Sequence, residues 1–165
     1  MDDAVAKTEA VAMPSPQFWT LIAALGGSTS DDAFDSLASA LAGRTIDDLV
    51  AFAARLSLVV HALDTRARHT WYTANDPMGL GFVSDDVFLY ARLDTICAGE
   101  SVWLEAIREG TLPWGSVDPT LGAGELLLSA APNAADAQGG WEEFGAKYAE
   151  RVLVSYETGS NTDGW

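Results

Sequence analysis

Apolar residues recur at intervals of three and four along most of the chain, the period of a helix with one buried face. Phe34, Leu37, Ala38 and Leu41 form one such stripe, opened by Ser30-Asp31-Asp32 and closed by Gly43. Ile46, Leu49, Val50, Ala53, Leu56, Val60 and Leu63 carry the longest one, about five turns, behind Thr45 and Asp48, which resemble a capping box with Asp in place of Glu. Ser84 then offers a cap to Asp85 and Asp86, whose carboxylates suit the positive end of a helix dipole. Leu89, Leu93 and Ile96 follow as its stripe, Val87 and Phe88 widen it, and Gly99 ends it. Shorter helices are predicted behind Ser15-Pro16, with Phe18, Trp19 and Ile22 before Gly26-Gly27, and over Glu100–Ile107 before Gly110. A short helix over Gly124–Ala131 and an amphipathic run built on Trp141, Phe144, Tyr148 and Val152 complete the set. No segment sustains a two-residue alternation. The fold class that follows is all-α, one compact domain of about six to eight helices, mostly of roughly 8 to 20 residues.

The breaks set the limits of that domain. Residues 1–14 lack a sustained period and read as a flexible N-terminal leader, residues 15–157 as the single helical domain, and residues 158–165 as a flexible Gly/Ser/Asn tail. Inside the domain, Asn75–Gly81 is a connector because Pro77 disfavours helix at Asp76. Its spaced glycines follow no strand, which excludes a nucleotide-binding loop. Leu112–Thr120, with Trp114 between Pro113 and Gly115, reads as a rigid irregular loop, and Pro132–Gly140 as a surface connector.

Composition narrows the function classes. At 165 residues and 48% hydrophobic content the chain has material for one sizeable core. Its net charge of −15 repels phosphate, and its densest basic cluster is only Arg66, Arg68 and His69, so neither nucleic acid nor an anionic membrane is expected as a partner. An acidic surface suits a basic protein partner instead. The lone Cys97 sits among apolar neighbours late in a helix, the place of a packed and inert thiol, and one cysteine is compatible with a reducing compartment. The N-terminal residues lack a secretory pattern and no apolar stretch is long enough to span a bilayer, so the expected location is cytoplasmic.

Candidate chemistry is sparse: no catalytic motif, no cofactor motif and no metal set is expected. His61, Asp64 and His69 lie broadly on one helical face, but they lack the close His-x-x-x-His spacing of helical zinc sites, and a solvated or capping role is preferred. Asp85 and Asp86 lack the further acid one turn on that a magnesium motif needs, since Leu89 and Tyr90 stand there. Arg92 is the residue without a local explanation. Its neighbours three and four positions away are Phe88, Leu89, Thr95 and Ile96, so no carboxylate on its own helix can pair with it. It must snorkel to water, pair with a carboxylate from another segment, or clamp an anionic ligand.

Phe18-Trp19 with Ile22, the central Ser84-Asp85-Asp86 with Phe88, Tyr90, Arg92 and Gly99, and the late Glu142-Glu143-Phe144 followed by Thr158-Gly159 together resemble a bacterial family, domain of unknown function 4240. The resemblance covers about residues 16 to 160 and departs from the family's pattern over Asn75–Val83. It implies a small helical cytoplasmic protein of the kind frequent in actinobacteria, in keeping with seven arginines against two lysines, and it implies no activity. The leading functional expectation is a noncatalytic protein-interaction or regulatory module. The alternative is an enzyme or small-ligand binder with its site around Asp85, Asp86, Tyr90 and Arg92, with Trp71 and His69 nearby.

Overall fold

A computed structural model describes residues 3–75, 81–112 and 123–165. Among these residues there is no strand, and nine α-helices follow one another: α1 (Asp3–Val11), α2 (Ser15–Ile22), α3 (Asp31–Leu41), α4 (Ile46–Ala62), α5 (Arg66–Ala74), α6 (Asp85–Cys97), α7 (Glu100–Glu109), α8 (Leu126–Ala137) and α9 (Trp141–Arg151). The count exceeds the expected six to eight. The additional helices are α1, which has little apolar periodicity, and α5, whose buried positions are Arg68 and Tyr72 rather than an aliphatic stripe.

Helix α4 is the axis of the molecule. Ten of its seventeen residues are buried, from Leu49 to Val60, so it is covered nearly all round by α1, α6, α8 and α9. Phe52 and Val60 are fully enclosed, and burial of side chains of this size contributes about 1.5–3 kcal/mol each. The caps read from the sequence are in place at three starts: the side chains of Ser30, Thr45 and Ser84 accept the backbone N–H of Ala33, Asp48 and Val87. The Thr45 hydroxyl also donates to the Asp48 carboxylate at 2.8 Å, a side-chain bond distinct from the backbone return bond of a capping box. At α2 the helix already includes Ser15, and the cap position is Pro14.

Both ends expected to be flexible are placed against this body. Helix α1 lies on α4, where Glu9 takes two bonds from the Arg55 guanidinium at 2.9 and 2.7 Å and the Met13 carbonyl takes a third at 2.7 Å. Its one fully buried side chain, Thr8, accepts the backbone N–H groups of Leu153 and Val154. Residues 158–165 fold back over the junction of α4 and α5.

Two boundaries differ from expectation. Helix α8 runs through Pro132 to Ala137, where a surface connector was predicted. Pro132 removes the N–H that the Leu128 carbonyl would accept and crowds that carbonyl with its ring, but the flanking alanines at 130, 131, 134, 135 and 137 favour helix strongly enough to carry the chain past it. Helix α9 stops at Arg151, because the β-branched Val152 and Val154 continue as extended chain that Thr8 pairs. The predicted connector at residues 76–80 and the predicted loop around Trp114 lie outside the described residues.

Candidate functional site

Helix α6 brings Phe88 and Arg92 onto one face, one turn apart, and packs that face against α4. Arg92 is among the largest fully enclosed side chains of the protein, so it does not snorkel. Its guanidinium carbon lies 4.9 Å from the centre of the Phe88 ring. Nη1 lies 3.8 Å from Asp64 Oδ1 and 3.5 Å from the Val60 carbonyl, and Nη2 donates to Thr158 Oγ1 at 2.9 Å. Nε is buried without a hydrogen-bond partner. Burial lowers the Arg92 pKa to about 10 against the opposing pull of Asp64, Glu157 and Asp85, so the group stays charged at neutral pH.

Asp64 is the carboxylate that Arg92 lacked on its own helix, and it too is fully buried. It stands just past the C-terminal end of α4, where the chain turns into α5. Its oxygens accept more than the guanidinium offers. Oδ1 takes the Gly159 N–H at 3.1 Å and the Trp165 indole N–H at 2.9 Å, while Oδ2 takes the Asn161 N–H at 3.0 Å and the Ser160 hydroxyl at 3.3 Å. Asn161 also donates to the His61 carbonyl, and Arg66 N–H donates to the Gly164 carbonyl at 2.9 Å. A buried carboxylate is stable when its lone pairs are filled, and here the C-terminal segment fills them. The approach is close: a Cβ on Gly164 would stand 2.8 Å from a Thr65 methyl and 2.9 Å from the Asp64 carbonyl.

The candidate residues from the sequence are only partly assembled. Asp85 and Asp86 are exposed in the first turn of α6, and Asp85 joins the cluster through its backbone carbonyl, which takes the Thr158 hydroxyl at 2.9 Å. His69 lies between Phe88 and Trp165, with ring centres 4.9 and 5.5 Å away. Tyr90 belongs to another neighbourhood: burial, then Glu125 and Asp86, raise its pKa. Trp71 is half-buried against the hydrophobic core. The sequence reading missed Thr158, Ser160, Asn161 and Trp165 because they sit in a polar tail, although a tryptophan among such residues is a signal of docking.

A second arginine is buried nearby. Arg68 on α5 donates from Nε and Nη2 to the carbonyls of Ala106 and Ile107 near the end of α7, at 3.2 and 3.0 Å, and from Nη1 to the Ala62 carbonyl and the Thr65 hydroxyl. It caps helix ends, sharing the Ala106 carbonyl with the Gly110 N–H. Two further groups are perturbed: burial pushes the Cys97 thiol up, away from the thiolate, and burial raises the Asp94 pKa to about 6 against the Gly124 N–H that its carboxylate accepts. Among the described residues no group of three or more His, Cys, Asp or Glu side chains is placed to hold a metal ion, and no helix is long and apolar enough to cross a membrane.

Chemically, the Asp64–Arg92 cluster is an enclosed charge pair with filled carboxylate oxygens, an arrangement that fastens segments together. Residues 13–116 match the family model described as protein of unknown function, DUF4240. No curated protein and no solved structure gives a match. The matched span contains Asp64, Arg68 and Arg92, whereas the C-terminal residues that fill the Asp64 carboxylate lie beyond it.

Proposed function

The chain belongs to the DUF4240 family, and we propose that it is a noncatalytic protein-interaction module that offers an acidic helical surface to a basic protein partner. One observation carries this reading: at least seven of the nine cations are engaged within the chain while the acids that open four helices face outward. Lys7, Arg55, Arg92, Arg108, Lys147 and Arg151 each pair with a carboxylate, and Arg68 caps helix ends. Against 9 Lys and Arg the chain has 24 Asp and Glu, and the acids that open α3, α4, α6 and α9 are exposed. Such a field speeds encounter with a positively charged surface and weakens as salt rises. The test is copurification from the native host followed by reconstitution from purified components. A basic partner should lose affinity at least about tenfold between low and physiological salt, and Asp85→Asn with Asp86→Asn should weaken it further. Salt-independent binding, or no reconstitutable partner, sinks the reading.

The second reading, an enzyme or small-ligand binder around Asp85, Asp86, Tyr90 and Arg92, draws support from the buried, unpartnered Nε of Arg92. Thermal-shift screening against metals, nucleotides and phosphorylated metabolites tests it, and a flat response throughout counts against it.

A further inference from the structure

Away from the Asp64–Arg92 cluster, a groove of about 240 Å³ opens between α4, α8 and α9. Helix α9 contributes Trp141, Phe144 and Tyr148, spaced three and four residues apart on one face, and the extended chain beyond it contributes Tyr156. Trp141 is 55% exposed although it is the largest side chain of the helix. Phe144 and Tyr148 stack with ring centres 5.8 Å apart. The Tyr148 hydroxyl and Ser57 Oγ lie 3.4 Å apart, and burial, then Tyr148 and Glu157, raise the Tyr156 pKa, so the Tyr156 phenol is neutral at neutral pH.

The groove is lined by rings and hydroxyls, and none of its lining side chains is charged. Acids open the helix that carries three of the rings. Glu142 and Glu143 open α9, and the one lysine of that helix, Lys147, is held by Glu143 and Asp47 at 2.7 and 3.1 Å. Arg151 is likewise held by Asp47 at 2.7 Å.

From this combination we propose that the groove binds an alkylated ammonium group, the chemistry shared by choline and N-methylated lysine. Aromatic faces attract a cation through the ring quadrupole, and the methyl groups match an apolar wall that a bare, strongly hydrated ammonium would not favour. A volume below the roughly 300–1,000 Å³ of drug-sized pockets suits a headgroup rather than a large ligand. The net charge of −15 raises the cation concentration near the protein surface.

The experiment is titration of the full chain, labelled at its indole nitrogens, with choline and separately with a peptide carrying trimethyllysine, read by NMR at ionic strength held constant. Controls are unmethylated lysine peptide and 3,3-dimethylbutanol, the uncharged isostere of choline. A saturable shift of the Trp141 indole with either methylated probe is expected, and the tighter of the two identifies the source of the headgroup. Trp141→Ala should weaken binding by about tenfold and Trp141→Phe by about threefold or less, both read from the remaining backbone shifts, which also report that each variant is folded. Equal binding of 3,3-dimethylbutanol would reduce the groove to a plain apolar cleft and overturn the proposal. So would equal binding of unmethylated lysine, or no saturable response to either methylated probe. None of these outcomes depends on a basic protein partner for the acidic surface.

Discussion

Two arginines are buried a short distance apart, and they are satisfied in different ways. Arg68 has no carboxylate: its donors reach the carbonyls of Ala62, Ala106 and Ile107, the partial negative charges at the ends of α4 and α7. Arg92 has a carboxylate, yet that carboxylate stands 3.8 Å away, beyond hydrogen-bond length, and is bonded chiefly by the C-terminal segment. The lesson is that a buried guanidinium need not own its counter-charge. Arg68 is held by helix ends, whereas Arg92 is held by a hydroxyl, a ring and the field of an acid whose hydrogen bonds go elsewhere. Asp64 is therefore the more critical half of its pair.

The largest expected effect follows from removing that half. Asp64→Ala leaves Arg92 buried beside no counter-charge and strips the C-terminal segment of its acceptor, and should cost about 3–5 kcal/mol in urea unfolding, with residues 158–165 losing amide protection. Arg92→Met keeps the volume and leaves Asp64 its four donors, so it should cost less than Asp64→Ala. The reverse ranking would break the comparison. Arg68→Met removes the side-chain donors to the Ala62, Ala106 and Ile107 carbonyls and should cost about 1–3 kcal/mol at every pH from 5 to 9, since no titrating acid takes part.

Smaller effects sharpen the contrast. Trp165→Phe removes one donor to Asp64 while keeping a ring beside His69, and should cost about 1 kcal/mol. Asp94 is the acidic counterpart of Arg92, a group perturbed chiefly by burial. Its folded pKa of about 6 lies above the ordinary 3.8, so the folded state holds the proton more tightly. That contribution to stability is full below pH 3.8 and is lost as pH rises through about 6. Asp94→Asn should accordingly raise stability at pH 7.5 by roughly 1 kcal/mol, the partial exposure of the group limiting the gain, and the gain should vanish by pH 4. Arg151→Ala breaks only a surface pair with Asp47 and should change stability by less than about 0.5 kcal/mol.

Much of this fold was legible because local chemistry and burial agree. Ser30, Thr45 and Ser84 cap where their side chains can accept, and the stripes of α3, α4 and α6 face inward. What escaped depends on contacts between distant segments. Thr8 reads as an exposed polar residue until Leu153 and Val154 arrive to donate to it. Pro132 reads as a helix stop, and the surrounding alanines carry the helix past it. The need of Arg92 for an outside partner was readable from its own helix, but Asp64 as that partner was not, because nothing in a linear pattern says which acid will be buried. The polar tail carried one clue, its tryptophan.

The Asp64 carboxylate also orders events in time. Its Trp165 donor lies 101 positions downstream, so on a ribosome adding about 5–20 residues per second, Asp64 waits of order 5–20 s for it. During that interval α4 and α6 can meet, with Asp64 and Arg92 facing each other across a seam still open to water. Closing the seam thus comes after α4 and α6 have both been made. A nascent chain paused before Ser160 should present the same helices with a looser junction, which Ser160, Asn161 and Trp165 tighten once they reach Asp64.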